Sequence, residues 1–162
     1  MGTNGYANPD ALVETEWLQG HLDDPSVRVV EVDEDVTAYA TGHIPGAVRW
    51  NWHTDLRAAV GRDFIDQQGL TSLLQAAGVR ADTTVVLYAG NNNWFAAYAY
   101  WLLRYLGFDA VKLLNGGRKK WELEARPLTD DVPSYARGTV SLSTPVRSEL
   151  RAFRNQVLAR LG

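Results

Sequence analysis

The 162-residue chain contains no cysteine. This absence excludes disulfide bonds, thiolate-bound metals and cysteine-based catalysis within the chain. Histidine is also scarce, and the spacing of His21, His43 and His53 matches no common metal-binding motif. We therefore expect neither a metal site nor another cofactor.

Two further features are missing, an excess of basic residues and a long apolar run. The formal net charge is −3, which argues against nucleic-acid binding because affinity for phosphate backbones needs a basic surface. No apolar run is long enough to span a membrane, and the beginning, MGTNGYANPD, has no basic region followed by an apolar core. We expect a soluble cytoplasmic protein that binds neither nucleic acid nor membrane.

What the chain does have is an alternation of strand and helix patterns. Runs rich in β-branched residues predict strands at 27–33, at 47–50, in TTVVLYA and in AVKLLNGG. TTVVLYA is apolar throughout, which is typical of a central strand buried on both faces. The dense apolar residues of 94–105 predict a helix covered on most sides. This order predicts an α/β domain around a mainly parallel sheet with flanking helices.

The composition changes after residue 128. The stretch 129–145 is polar and marked by proline, which is typical of a linker. In the last stretch, 146–162, apolar side chains fall along one helical face. They are Leu150, Phe153, Val157, Leu158 and Leu161.

The final helix predicted here has two possible settings. It could fold back on the preceding domain. However, VETEWLQGHLDDPSVRVVEV near the beginning also runs from a short amphipathic helix into a strand. We therefore expect a domain at 1–128, a linker at 129–145, and a helix at 146–162 that opens a second copy absent from this chain.

The stretch VVLYAGNNNWFAAYAYW is the most informative about function. A strand that runs into a tight loop and then a helix is a common place for a nucleophile or a bound phosphate. Here the loop is Ala89-Gly90-Asn91-Asn92-Asn93, which has no nucleophile. Asparagine tolerates left-handed backbone, bonds to its own loop and caps helices, so these residues suit a structural turn.

Two motifs make the chain similar to the rhodanese family of sulfurtransferases. The first is the turn in YATGHIPGAVRW, and the second is VKLLNGGRKKWELEARPL. The first signature places an aromatic residue ahead of a histidine turn, and is carried here by Tyr39, His43, Ile44, Pro45, Gly46 and Ala47. The second matches through Val111, Leu114, Gly116, Gly117 and Trp121. The resemblance covers about residues 12–127 and is strongest to the first half of tandem bacterial thiosulfate sulfurtransferases.

The resemblance implies a function for the loop and explains its lack of a nucleophile. In active rhodaneses the strand ends in a cysteine that carries a persulfide, and Ala89 stands at that position here. The chain alone is therefore expected to be inactive, with no catalytic residue. Its loop resembles an active site only in form. That loop consists of Ala89, Gly90, Asn91, Asn92, Asn93 and Trp94.

The resemblance also implies a partner. A second, cysteine-bearing rhodanese domain would move sulfur from thiosulfate to cyanide or another acceptor, and this domain would support it and form one wall of the cleft between them. Without that partner, an exposed apolar face could drive self-association. The alternative is a stand-alone, catalytically inactive rhodanese module that acts as a binding or regulatory domain and ends near Gly162.

Several polar residues compete as site candidates. His43 could act as a general base, but in such a turn a histidine more often fixes the loop by hydrogen bonds. The acidic run 33–35 could bind a cation, although a solvated strand end is the preferred interpretation. The basic run 118–120 could attract an anion such as thiosulfate, although solvated helix charge is preferred.

The tryptophans leave two interpretations open. Trp94 and Phe95 belong either to the core or to a contact surface for a second domain. Trp50 and Trp52 could line the same cleft or pack in the core.

Overall fold

The computed structural model describes residues 5–161, which fold around a sheet of five parallel strands. The strands are β1 (Leu12–Val13), β2 (Val27–Asp33), β3 (Val48–Asn51), β4 (Thr84–Tyr88) and β5 (Val111–Leu114). They lie in the order β1-β5-β4-β2-β3, and every neighbouring pair is parallel. The predicted α/β fold with a mainly parallel sheet is confirmed.

Helices cover both faces of this sheet. They are α1 (Thr15–Gln19), α2 (Thr37–Thr41), α3 (Gln67–Ala76), α4 (Trp94–Tyr105), α5 (Gly117–Leu123) and α6 (Arg154–Leu158). Short 3₁₀ turns occur at Pro9–Ala11, Asn91–Asn93 and Ser148–Leu150. None of the helices between residues 5 and 161 is long and apolar enough to cross a membrane.

Strand β4 divides the core into two layers. Val85 and Leu87 point into the larger layer, which contains residues of α3 and α4, while Val86 and Tyr88 point into the smaller one with Trp121 of α5. The four β4 side chains are fully buried, as the apolar run predicts. Each buried valine or leucine contributes about 1.5–3 kcal/mol, so this strand anchors the loop that follows it.

Two strands differ from the predicted elements. Strand β1 has only two residues, too few to produce an alternating pattern, and exists because Leu12 and Val13 pair with Leu113 and Leu114 of β5. Strand β3 lies one residue later than predicted, at Val48–Asn51. The predicted limits at residues 1 and 162 fall outside the described residues.

The predicted linker, 129–145, lies against the domain, and we call it the strap. Its backbone is irregular, as its polar composition indicates, but hydrogen bonds anchor it at several points. Thr129 exchanges two backbone hydrogen bonds with His43, Tyr135 Oη donates to Gly46 O at 2.8 Å, and Gln75 Nε2 donates to Val140 O at 2.9 Å. Val140 is buried in the larger core layer. That the strap also leads to a second domain stays a prediction.

The last stretch, residues 146–161, differs from the single helix predicted for it. A 3₁₀ turn at Ser148–Leu150 is separated from α6 by extended backbone, including Phe153 with φ −95° and ψ 156°. The side chain of Gln156 accepts from Phe153 N at 2.8 Å, which begins a new helix there. Leu150 therefore does not share a helical face with the apolar residues of α6, which are exposed along with Phe153.

Candidate functional site

The loop after β4 has an unusual backbone. Asn91, Asn92 and Asn93 all have positive φ values, 45°, 56° and 65°. Asparagine enters this left-handed region at lower cost than most residues, because its short amide can bond locally. Three consecutive asparagines thus allow the chain to turn sharply from β4 into α4, as the sequence indicates.

Asn93 holds this loop to the sheet. Its Oδ1 accepts from Ala89 N at 2.9 Å, and its Nδ2 donates to Leu114 O of β5 at 2.7 Å. The sequence suggested that asparagine would cap the helix, but the Asn93 side chain makes no capping bond at the beginning of α4. It satisfies buried backbone groups of the sheet instead, which would otherwise cost about 1–3 kcal/mol each.

Asp33 fixes the other side of the loop. Its Oδ2 accepts from Gly90 N at 3.0 Å, and its side chain lies within hydrogen-bond distance of Glu34 N. Asp33 is buried, so the interpretation of 33–35 as a solvated strand end is wrong for this residue. Glu34 turns away to His53, and Asp35 bonds to Thr37 N. Among the described residues, no group of three metal-binding side chains comes together.

These contacts use four of the loop's backbone donors. Ala89 N donates to Asn93, Gly90 N to Asp33, Asn93 N to Gly90 O and Trp94 N to Asn91 O. A persulfide or other anion bound at this loop would need such N–H groups free. The methyl side chain of Ala89 is buried and offers no nucleophile. The N–H groups of Ala89, Gly90, Asn93 and Trp94 are therefore not available to a bound anion.

A buried ion pair joins the elements behind the loop. Arg118 Nη2 bonds to both carboxylate oxygens of Glu31, at 3.1 and 2.9 Å, and to Gly42 O at 2.6 Å. Burial, the largest single influence, works against the Arg118 cation, but the Glu31 and Glu122 carboxylates together outweigh it, so the pKa of Arg118 lies above its ordinary value. The preferred interpretation of 118–120 as solvated charge is wrong for Arg118. The backbone N–H of Arg118 also donates to Ala89 O at 3.1 Å.

The same region contains a buried tyrosine that connects β4 to the signature turn. Tyr88 Oη accepts from Ile44 N at 3.0 Å. Burial, reinforced by the nearby Glu31 charge, raises the pKa of Tyr88 well above its ordinary value, so the phenol stays neutral. The tyrosine therefore has a structural position, not that of a base.

The signature turn lies inside the protein. The His43 ring stacks on Tyr39 with centroids 3.7 Å apart, and Tyr39 Oη donates to Ala47 O at 2.7 Å. His43 Nδ1 lies 2.8 Å from Tyr39 O, and Nε2 lies 3.0 Å from Asp131 O. The ring is fully buried with a carbonyl at each nitrogen, so it has no access to a substrate. Gly46 follows with φ +77°, the positive value that the Pro45-Gly46 turn predicts.

An aromatic groove lies beside the loop, lined by Trp52, Phe95 and Tyr98 with Glu34 and the exposed Asn91, Asn92 and Trp94. Trp52 stands 5.6 Å from Phe95 and 6.1 Å from Tyr98, measured between ring centroids. Trp94 is 73% exposed, whereas Trp50 is buried in the core. Trp50 therefore packs in the core, whereas Trp52 and Phe95 line the groove and Trp94 is exposed. That Trp94 and Phe95 form a contact surface for a second domain stays a prediction.

The sequence did not single out Glu31, and it did not indicate the partners of Asp33, Asn93 and Gly117. Nothing local shows that Glu31 pairs with Arg118 or that Asp33 bonds to Gly90. The double role of Asn93 and the need for glycine at 117 also depend on contacts between distant elements. An acidic residue inside an otherwise apolar strand, as in VRVVEVD, was the available signal.

Comparison with known proteins places this geometry in a family. The profile of the rhodanese-like domain matches residues 14–124. The chain is 51% identical over 158 residues to the sulfur carrier protein TtuD of Thermus thermophilus, covering 97% of this chain and 55% of TtuD. It is 50% identical to a putative thiosulfate sulfurtransferase of Mycolicibacterium smegmatis, covering 96% of this chain and 56% of that protein. The chain thus spans about half the length of these relatives.

Solved structures show the same fold at lower identity. SseA from Escherichia coli, a 3-mercaptopyruvate sulfotransferase, superposes with a TM-score of 0.76 at 24% identity, covering 92% of this chain and 60% of that one. The 3-mercaptopyruvate sulfurtransferase from Leishmania major gives 0.69 at 18% identity, covering 82% and 40%. These structures show the fold alone, whereas the family profile and the two relatives of about 50% identity show the family: the chain belongs to the rhodanese family as a rhodanese-like domain.

Proposed function

We propose that this chain is the non-catalytic rhodanese-like domain of a thiosulfate sulfurtransferase and supports a second domain that carries the catalytic cysteine. The observation that carries the proposal is Ala89, which stands where an active rhodanese has its nucleophile, in a chain without any cysteine. Sulfur transfer through a persulfide needs a thiolate, and no other side chain here replaces one.

The hydrogen bonds of the loop support this proposal. A low-pKa thiolate depends on free N–H groups and on the helix N-terminus. In this loop the N–H groups of Ala89 and Gly90 are bonded to Asn93 and Asp33. These two bonds fix the shape of the loop, and the two N–H groups are therefore not offered to a charged sulfur.

The aromatic groove supports the cleft-forming part of the proposal. Trp94 and its neighbours lie at the carboxyl end of β4, the end of a parallel sheet where rhodanese-type chemistry and most α/β ligand sites occur. Exposed tryptophan is enriched at protein contacts, because one rigid side chain buries a large apolar area. A second rhodanese domain seated here would cover Trp94 and close the groove into a cleft.

The substrate class of the whole protein is proposed from its relatives. Thiosulfate is the donor named for the Mycolicibacterium smegmatis protein, and sulfur carriage is the role named for TtuD. We propose thiosulfate as donor, cyanide or another thiophilic molecule as acceptor, and the cytoplasm as the location.

A paired assay tests the proposal. The chain is assayed for thiocyanate formation from thiosulfate and cyanide, first alone and then with the cysteine-bearing remainder of its gene product added. Activity only after the addition would support the proposal. Activity of the chain alone would contradict it, and a gene without such a remainder would favour the binding-module alternative.

A further inference from the structure

A second cavity lies at the opposite end of the sheet from the loop after β4. It has a volume of about 530 Å³ and lies among Leu22–Pro25, the signature turn, the Gly78–Arg80 turn and the strap. Arg28, the second residue of β2, is level with Val85 at the beginning of β4 and lines this cavity. The family's sulfur chemistry, by contrast, belongs to the carboxyl end of the strands. This cavity is therefore separate from the candidate site described above.

Arg28 is a buried cation without a counter-charge. It is 8% exposed, and its guanidinium carbon lies 3.3 Å from the centroid of the Tyr135 ring. No carboxylate in residues 5–161 forms an ion pair with it, and its Nε has no hydrogen-bond acceptor there. Burial lowers the pKa of Arg28 because the cation has lost water, although the guanidinium remains charged at neutral pH. Stacking on Tyr135 offsets only part of that cost.

The strap forms the wall that carries Tyr135, and hydrogen bonds and close packing hold it in place. Tyr135 Oη donates to Gly46 O at 2.8 Å, and Gly138 N donates to Gln75 O at 2.7 Å. Gly138 lies so close to the Gly78–Arg80 turn that a Cβ there would come within 2.0 Å of Val79 O. The strap therefore holds the ring against Arg28 in one arrangement.

The other charges of the cavity are already engaged or exposed. Arg80 pairs with Asp82 at 3.1 Å, and Arg137 donates to Gln75 Oε1 at 2.8 Å. The Asp24 carboxylate accepts from both the N–H and the hydroxyl of Ser26, and Asp23 is exposed to solvent. Within residues 5–161, Arg28 is thus the buried charged group of this cavity that lacks an ionic partner.

We propose that this cavity binds an oxyanion group, a carboxylate or a phosphate, through the guanidinium of Arg28, with Arg80 and Arg137 adding attraction at the rim. The planar guanidinium matches the two oxygens that either group presents. Because the strap forms one wall, the anion binds only when the strap is docked. Occupancy therefore stabilises the docked strap by mass action.

The test uses the side-chain Nε–Hε signal of Arg28 in ¹⁵N NMR spectra of the full chain. Sodium phosphate and sodium acetate are titrated separately, with sodium chloride adjusted to keep the ionic strength constant. A saturable shift with phosphate identifies a phosphate-type ligand, and one with acetate identifies a carboxylate. The absence of a saturable shift with both anions overturns the proposal.

Variants distinguish a site from general attraction to a surface. In the variants, binding is followed by the backbone amide signal of Gly138, which lines the cavity and is present in all of them. Arg28→Gln is expected to abolish saturable binding, and Arg137→Gln to weaken it about two- to fivefold, the effect of an exposed charge. The matched control, Arg62→Gln, removes an exposed arginine outside the cavity and should leave the dissociation constant unchanged. Equal affinity in folded Arg28→Gln overturns the proposal. If that variant does not fold, Arg28→Lys keeps the charge without the planar fork, and unchanged affinity in it has the same meaning.

Discussion

The side-chain oxygen of Asn93 fills the space that a side chain on Gly117 would need: a Cβ there would come within 2.2 Å of Asn93 Oδ1. The two residues belong to different elements, the loop after β4 and the beginning of α5. Their close approach allows Asn93 to bond to Leu114 O and Arg118 N to bond to Ala89 O. The loop that resembles an active site is therefore locked to the second glycine of the NGG motif.

Gly117→Ala tests this lock. Gly117 has φ +55°, so alanine adds left-handed strain of about 1–2 kcal/mol and a clash with Asn93 of about 1–3 kcal/mol. We expect the free energy of unfolding, measured by urea denaturation, to fall by about the sum. Gly61→Ala is the control, since Gly61 has φ +91° with no atom within 4 Å of the added Cβ. Equal losses in the two variants would contradict the lock.

Asn93→Asp separates the two hydrogen bonds of the loop. The variant keeps an acceptor for Ala89 N but places a carboxylate oxygen against Leu114 O, where Asn93 now donates. We expect a loss of about 1–3 kcal/mol in the free energy of unfolding at pH 7. Asn92→Asp, at an exposed position with similar backbone, should change it by less than about 0.5 kcal/mol. A tolerated Asn93→Asp would show that the loop does not depend on the bond to β5.

Arg118→Met tests the ion pair with Glu31. Removal of the arginine leaves a buried carboxylate without its partner, so we expect a loss of about 3–5 kcal/mol in chemical denaturation. Arg80→Met breaks an exposed pair with Asp82 and should cost at most about 1 kcal/mol. The double variant Glu31→Gln, Arg118→Met should recover part of the loss, because no buried charge remains. If the loss in the double variant instead equals the sum of the losses in the single variants Glu31→Gln and Arg118→Met, the ion pair contributes little to the free energy of unfolding.

Acidification should loosen the last stretch of the chain. The hydrogen bond from Arg147 holds the pKa of Asp109 below its ordinary value of 3.8. A carboxylate with a lowered pKa stabilises the docked state above that ordinary value, and the contribution is lost as the pH falls through its pKa in the folded protein. The indole N–H of Trp101 reports docking, since it donates to Leu150 O at 2.7 Å.

The measurement is the Trp101 indole N–H signal in NMR spectra as a function of pH. We expect it to shift on acidification below 3.8, and to be shifted already at neutral pH in Asp109→Asn. Asp82→Asn is the control, because Asp82 pairs locally with Arg80 and not with the last stretch. An unchanged Trp101 signal in Asp109→Asn would show that this pair does not hold the segment.

The sequence predicted the buried central strand and the aromatic-rich helix correctly, because local composition determines both. The apolar run of β4 and the helix at 94–105 were identified because burial on both faces, or on most sides, leaves few polar residues. The family motifs drew attention to the loop after β4, and that Ala89 stands at the nucleophile position stays a prediction. Asp33 was interpreted from the sequence as a solvated strand end but is buried. Its partner Gly90 lies next to it in space but 57 positions away in sequence, so no local pattern indicates the contact.

The strap and the last stretch show the same limit. A polar, irregular segment predicts a linker, and nothing in its pattern indicates that Tyr135 stacks on Arg28 or that Val140 enters the core. The apolar spacing of 150–161 predicts one helix, but Arg147 and Arg151 are bonded to Asp109 and Asp63 of the domain, and the helix begins only after Phe153. Such long-range pairs carry no local signal.

The most direct test of the central claim, that the loop after β4 is a structural turn and not a sulfur site, is Ala89→Cys. The absence of native cysteine makes the introduced thiol the sole one in the chain. The variant is incubated with thiosulfate and its mass is measured, with the exposed Val60→Cys as a control for thiol access. We predict no added sulfur atom and slower alkylation than in the control, because the position is buried and the backbone N–H groups of residues 89 and 90 are bonded to Asn93 and Asp33. A stable persulfide on the variant, passed on to cyanide, would contradict the account.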